Sequence, residues 1–384
     1  VRVSWRVAVA VAVSAAAVLA AGVGPAQAVG PPEPAATATA TSTSFAVSGQ
    51  LFGVAAASAS RAWAVGYSGN LGTSEKTLIV GWNGKRWARV TSPKPLTGQL
   101  DAVSATSASN AWAVGYVYTA HAPGGKDWKT LVMHWNGRAW SRQAGAVVPG
   151  QLTAVATAPN GDVWAVGGTA APGFAGATLI LHRTSGRWYV VPVEGNLTVN
   201  LDGVAATGTR TAWAVGSALF PNGSVLLRWN GTVWKPVSLP LSAGNDGIFG
   251  AAGKGSGAAW AVGESYDNAT EISTPISMRL TGATWRKVPV PAPKNSLLNN
   301  VGFVPGGTVW AVGETRLSLA VFLPLILRWS GSAWVRVPSP NVGGDGELST
   351  VAATSAGNAW AVGNVLTSKS EDTLILHWNG KAWS

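Results

Sequence analysis

The chain has no cysteine, which removes disulfides, thiolate metal sites, thiol nucleophiles and a lipid-modified cysteine together. Charge is also scarce. Only 11% of the 384 residues are Asp, Glu, Lys or Arg, histidine occurs four times and methionine twice. Gly-x-Ser-x-Gly, His-Glu-x-x-His and calcium-loop patterns are missing, so the common signatures of hydrolytic and metal chemistry have no carrier. No segment sustains a 3.6-residue apolar period, which excludes helical bundles and α-solenoids. With 47% apolar residues, 21 Trp and 48 Gly, the chain is nonetheless too apolar to stay unfolded.

Residues 1–28 have the layout of a secretory signal peptide. Arg2 and Arg6 precede an apolar run over 7–23, and Ala26-Gln27-Ala28 supplies the small-x-small cleavage pattern. Residues 29–44 form a Pro/Ala/Thr-rich tether that cannot build a core. No second apolar run of spanning length follows. The expected mature protein is secreted, extracellular or attached to the cell wall.

Residues 45–384 are repetitive, and the repeat decides the fold. Trp-Ala-Val-Gly begins at Trp63, Trp112, Trp164, Trp213, Trp260, Trp310 and Trp360, with spacings of 49, 52, 49, 47, 50 and 50 residues. Repeats start near Leu51, Leu100, Leu152, Leu201, Ile248, Leu298 and Leu348. Each holds four strand signals: an aliphatic pair, Ala-Trp-Ala-Val, a Leu-Ile-Leu-like run, and a strand opened by a Trp such as Trp87 or Trp140. In the second strand, Trp and Val share one face and Ala the other. Asn-Gly between strands three and four, as at Asn83-Gly84, predicts a type I′ hairpin. Short sheets that are apolar on both faces must stack radially, so the expectation is an all-β protein, a seven-bladed β-propeller of four-stranded antiparallel blades. The last repeat stops at Trp383-Ser384; the expectation is either that the Thr-rich stretch 40–45 supplies its outer strand, which ring closure favours, or that the sequence is cut short.

Gly84-Lys85-Arg86-Trp87 and its counterparts resemble the tail of the Asp-box (BNR) hairpin, and the period with its glycine and Trp is similar to kelch repeats. Second strands like Trp-Ala-Val-Gly are also similar to those of photosystem-assembly-factor-like propellers. The resemblance implies a propeller fold. It departs at the Asp position, which is Trp82, Trp135, Trp229, Trp329 or Trp378 in five repeats. Galactose-oxidase-like kelch enzymes join Tyr to Cys, which this chain cannot do. Sialidases with Asp-boxes use six blades, an arginine cluster and a Tyr–Glu pair, unlike these seven repeats.

Candidate functional residues follow from departures within the repeat. The position after Trp-Ala-Val-Gly reads Tyr67, Tyr116, Gly168, Ser217, Glu264, Glu314 and Asn364. If strand two runs toward the loop-rich face, these line one ring at the channel mouth. Tyr67, Tyr116, Tyr118, Tyr266 and Trp128 are candidate ligand contacts, and Tyr116 with Trp128 is expected to form an exposed aromatic patch. Trp128 is the one mature-chain Trp off the repeat pattern. Glu264 and Glu314 are the candidate pair for the alternative reading, an extracellular carbohydrate-active enzyme. His134, His182 and His377 share one repeat position, read as a rim position with the rings far apart. No metal, cofactor or specific nucleic acid is expected.

Charge separates by face. Beyond the signal the net formal charge is +9, and eighteen Lys and Arg fall on the face of the 1–2 and 3–4 turns with Asp162 as their single acid. Fourteen acids fall on the opposite, loop-rich face. Lys85, Arg86, Arg138, Arg187, Arg286, Lys287 and Lys381 therefore mark a surface for an anionic polymer, such as a cell-wall polymer, with peripheral membrane contact as a variant. The protein is read as a monomeric, non-catalytic binding or scaffold module of the cell envelope, with a glycan or protein as further ligand.

Overall fold

A computed structural model describes residues 45–384 apart from 72, 91–95, 123–124, 170–175, 196, 218–222, 242–244, 255–257, 305–306, 319–320 and 369. The signal peptide and the tether lie outside the described residues. In blade one the strands are Gly49–Ser58, Arg61–Ser68, Lys76–Trp82 and Trp87–Arg89. They pair in sequence order as an antiparallel meander, and five further blades repeat that order. Blade seven has three strands, Asp345–Ser355, Asn358–Leu366 and Glu371–Trp378. First strands touch their neighbours all the way round, and the first strand of blade seven meets that of blade one. The molecule is an all-β seven-bladed propeller.

The alternation in Ala-Trp-Ala-Val explains how blades stack. Trp63 and Val65 of blade one pack with Ala111 and Ala113 of blade two in one buried cluster. The same cross-pairing recurs at the other junctions, with Val163 and Val309 in place of the first alanine in blades three and six, ending with Trp360 and Val362 of blade seven against Ala62 and Ala64 of blade one. Each second-strand indole thus enters a recess lined by the short apolar side chains of the next blade's second strand, alanine in most cases. At five junctions it meets two more indoles. Trp360 lies 4.8 Å from Trp82 and 5.1 Å from Trp87, the latter edge-on at 89°. Offset and edge-on rings suit the aromatic quadrupole. The other two junctions replace one indole: Trp112 meets Trp188 and the Arg183 guanidinium, and Trp213 meets Trp285 and shares its cluster with Leu280. The Trp that displaces the Asp-box Asp is therefore packing. Trp82, Trp135 and Trp378 also donate their indole N–H to a carbonyl of the 1–2 turn, at 3.0 Å each.

The repeated glycine has a close-approach role. A Cβ on Gly66 would collide with the Gln50 carbonyl oxygen, and a Cβ on Gly313 with that of Leu297, because strand one bulges there. The expected type I′ turn at Asn-Gly is corrected. Asn83 keeps a negative φ, and its Oδ1 accepts the N–H groups of Lys85 and Arg86 at 3.0 and 2.9 Å, pinning a four-residue loop. A two-residue turn with both φ positive occurs in blade three instead, at Ser185 (48°) and Gly186 (81°).

Closure uses both ends of the described chain. Ser384 exchanges two hydrogen bonds with His377, at 2.9 and 3.0 Å. Val47 accepts the Thr373 N–H at 2.9 Å and donates its own N–H to Thr373 Oγ1. Elsewhere the segment entering the next blade does this work, as when Leu96 accepts from Thr77. Residues 40–44 of the expected closing stretch lie outside the described residues.

Candidate functional site

The central channel is lined by the second halves of the first strands. It offers about 300 Å³, walled mainly by valine and alanine with Ser104, Thr157 and Phe303, and among the described residues no titratable side chain joins the lining. Polar groups collect instead where strand one begins and strand two ends, at the loop face.

There the ring after Trp-Ala-Val-Gly is largely enclosed. Tyr67, Tyr116, Glu314 and Asn364 are buried, while Glu264 is half-buried. Tyr67 donates its hydroxyl to Glu371 Oε2 at 3.2 Å, and Asn364 Nδ2 donates to Glu371 Oε1 at 3.1 Å. Arg316 Nε donates to Glu314 Oε1 at 2.8 Å. Burial pushes the Glu264 carboxyl above its ordinary range, Arg316 and the nearby Ser273 hydroxyl oppose this, and Glu314 adds to it. So Glu264 and Glu314 feel each other around one guanidinium. Glu314 is 2% exposed, and a carboxylate so enclosed cannot meet a sugar ring.

Two residues with no place among the motifs complete this cluster. Glu347 receives the Gln50 Nε2 hydrogen bond at 2.7 Å, across the junction between blades seven and one. Burial, then the charge and hydrogen bond of Glu314, then Glu371, raise its carboxyl well above the ordinary value, against Arg316. A signal existed: Glu347 stands where other repeats have Gln50, Gln99 and Gln151, the residue before the strand-one leucine. Arg316 is a loop-face cation whose partner no motif reveals.

The aromatic candidates meet in blade two, whose second and third strands (Asn110–Ala122 and Gly125–Trp135) extend above the others. Trp128 is opposite Tyr118 and lies 4.8 Å from both the Tyr116 and Tyr118 rings. The expected exposed patch is corrected: Tyr116 and Tyr118 are buried and Trp128 is half-buried. The Tyr118 hydroxyl donates to Glu75 Oε1 at 2.5 Å, and Glu75 itself is buried. Burial raises both tyrosine pKa values, helped by Asp101 and Glu75 at Tyr116 and by Glu75 at Tyr118, so both hydroxyls keep their protons. Tyr266 is half-buried on blade five, away from this stack.

On the hairpin face, Lys85, Arg86, Arg138, Arg187, Arg286, Lys287 and Lys381 are exposed, and none makes an ion pair among the described residues. Asparagine-pinned loops hold several of them outward. Other cations of that face are engaged. Arg61 lies over Trp63 and Trp135, Arg183 over Trp112, Arg228 over Trp213, and Arg279 over Trp260 and Trp329. Glu194 is reassigned from the loop face, since it pairs with Lys235 at 3.1 Å. The histidine position is no bare rim: His134, His182 and His377 stack on Trp112, Trp164 and Trp360 at 4.1, 3.7 and 4.2 Å. Burial lowers all three pKa values, with Arg183 adding to the effect at His134 and Asp162 opposing it at His182.

No protein-family model matches the chain, and no curated protein matches it in sequence. Among solved structures, one described as YCF48 bound to D1 peptide matches with a TM-score of 0.55 at 14% identity, covering 91% of this chain and 99% of that one. A second, YCF48 from Cyanidioschyzon merolae, matches with a TM-score of 0.41 at 17% identity, over 67% and 75% of the two chains. At such identity the likeness to the first structure is one of fold, and the fold is a seven-bladed β-propeller.

Proposed function

We propose that the chain is a secreted, monomeric, non-catalytic binding propeller that rests on an anionic cell-wall polymer through its hairpin face. The observation that carries this reading is the row of exposed, unpaired Lys and Arg on that face, from Lys85 round to Lys381. Carboxylates gather on the opposite face, around Glu314, Glu347 and Glu371. Lysines on flexible stems and arginines on pinned loops suit a repetitive polyphosphate, where many weak contacts add and little shape is required. The channel supports a non-catalytic role, since its wall offers valine and alanine to any occupant. YCF48, the fold neighbour, is described with a bound peptide, which fits a propeller working through a face.

Contacts of this kind release counterions, so retention must fall steeply with salt. Isolated Gram-positive cell wall is expected to retain the mature protein at low salt and release it near ~0.5 M, where the screening length is only a few ångströms. Changing Lys85, Arg86, Arg286 and Lys287 together to Glu should abolish retention. Retention indifferent to salt, or to that quadruple change, would overturn the reading. Release from anionic lipid vesicles but not from wall would reassign the polymer to a membrane.

A further inference from the structure

The fourth strands are the open edges of the propeller, and six of the seven blades have one. Their hydrogen bonds follow one pattern. The residue three places after the opening Trp bonds back to strand three, as Val90 does to Ile79, Gln143 to Val132, Val288 to Ser277 and Val337 to Ile326. Backbone groups alternate in direction along an antiparallel strand, so the residue just before it turns its own N–H and C=O outward. In five blades that outward residue is Arg89, Arg142, Pro236, Lys287 or Arg336, and all five are exposed. Charged residues and proline on an open edge keep other chains from pairing with it.

Blade three lacks this protection. Its fourth strand is Arg187–Val190, and Val191 bonds back to Ile180 at 2.9 Å, so Trp188 and Val190 turn their backbone groups outward. Val190 is 59% exposed, and Tyr189 beside it is 48% exposed. Blade six comes nearest, with Val335 exposed, but there Arg336 follows it. Among the described residues, no other segment bonds to the outward backbone groups of Trp188 and Val190.

The two sides of this strand are distinct. Trp188 packs on Trp112 of blade two, so Val190 projects on the blade-two side with it. Tyr189 is paired with His182, which lies near Trp229 of blade four, so Tyr189 and Arg187 project on the blade-four side. Arg187 is exposed and makes no ion pair among the described residues.

We propose that the outer edge of blade three accepts an extended segment of a partner polypeptide as a fifth, antiparallel strand. The backbone groups of Trp188 and Val190 bond to that strand. The segment carries β-branched or aromatic side chains opposite Tyr189 and Val190, where such cross-strand pairs are favourable, and an acid opposite Arg187. Charge decides against a second copy of this chain, since two basic rims would repel each other. The proposal goes beyond the hairpin-face reading, because it uses the rim of one blade and main-chain recognition.

The test uses a fluorescent peptide, Thr-Val-Tyr-Val-Glu-Thr, followed by anisotropy. It is expected to bind saturably. A counterpart N-methylated at both valines cannot pair along its edge and should bind at least about tenfold more weakly. Lysine in place of the peptide's glutamate should weaken binding at least about threefold. Val190→Pro gives blade three the residue blade four already has there, and Val190→Lys the one blade five has. Each should weaken binding at least about tenfold, whereas Val190→Thr, which keeps the β-branch and the N–H, should bind as wild type does. Val335→Ser in blade six should change nothing. Equal binding of the N-methylated peptide, indifference to both Val190→Pro and Val190→Lys, or no saturable binding would overturn the proposal. So would a dimer of the protein alone that Val190→Pro abolishes, which would give the edge to a second copy. Cell-wall retention of Val190→Pro should stay at the wild-type level, so this proposal and the hairpin-face reading fail separately.

Discussion

Trp360 shows what one residue does in this protein. It is 1% exposed, belongs to blade seven, and touches two indoles of blade one, so it seals the ring as well as filling a core. Trp360→Ala should cost about 3–5 kcal/mol, the range for deleting a buried aromatic. Trp213→Ala should fall at the lower end, because its junction has Trp285 alone and each lost aromatic pair is worth about 0.5–1.5 kcal/mol. Denaturant unfolding of both variants checks this. Equal losses, or a loss near zero at either site, would contradict the packing described. The role of Trp82 was legible in part: its recurrence marked packing, while its bond to the Ala59 carbonyl needed coordinates. Glu347 was missed because its meaning depends on Glu314, a neighbour from another blade.

At the scale of the strand pair, the histidines couple stability to pH. Each sits on strand three opposite the strand-two Trp, stacked on it and partly dehydrated. Their folded pKa values lie below the ordinary 6.5, so the neutral form belongs to the fold. The stability they contribute is complete above about pH 6.5 and is lost as pH falls through the lower folded values. Melting temperature should therefore drop on acidification below about pH 6.5. Glu347 and Glu264 act in the opposite sense, since their raised values favour the fold at low pH and cost stability as pH rises. Replacing His134 and His377 by Gln should flatten the acid-side fall. An unchanged slope would show that the stacked rings do not carry it. The turns were the least legible element. Asn83-Gly84 named a bend but not its length, and the asparagine side chain, rather than two positive φ angles, closes the loop.

For the whole molecule, the repeat carried the blade count and the two faces of strand two, because seven copies average out local ambiguity. The exposure of Lys85, Arg86 and Lys381 on their turns was legible once strand order was known, while the pairing of Glu194 and the arginines spent on indoles were not. Burial of the mouth residues did not follow, since a tyrosine after Gly66 reads alike whether the next blade covers it or not. The contact between blades has a further consequence. A tryptophan face meets an alanine face, so the interface is directional and head-to-tail, and only a turn of about 51° per blade lets it close after seven. Any piece of the ring ends in two different surfaces, each the complement of the other. A fragment of blades one to three should therefore associate end to end in solution rather than as a face-to-face dimer, with sedimentation showing concentration-dependent growth. Alanine at Trp164 would cap that growth by blunting one end. Closure on itself is what keeps a chain with such surfaces from polymerising.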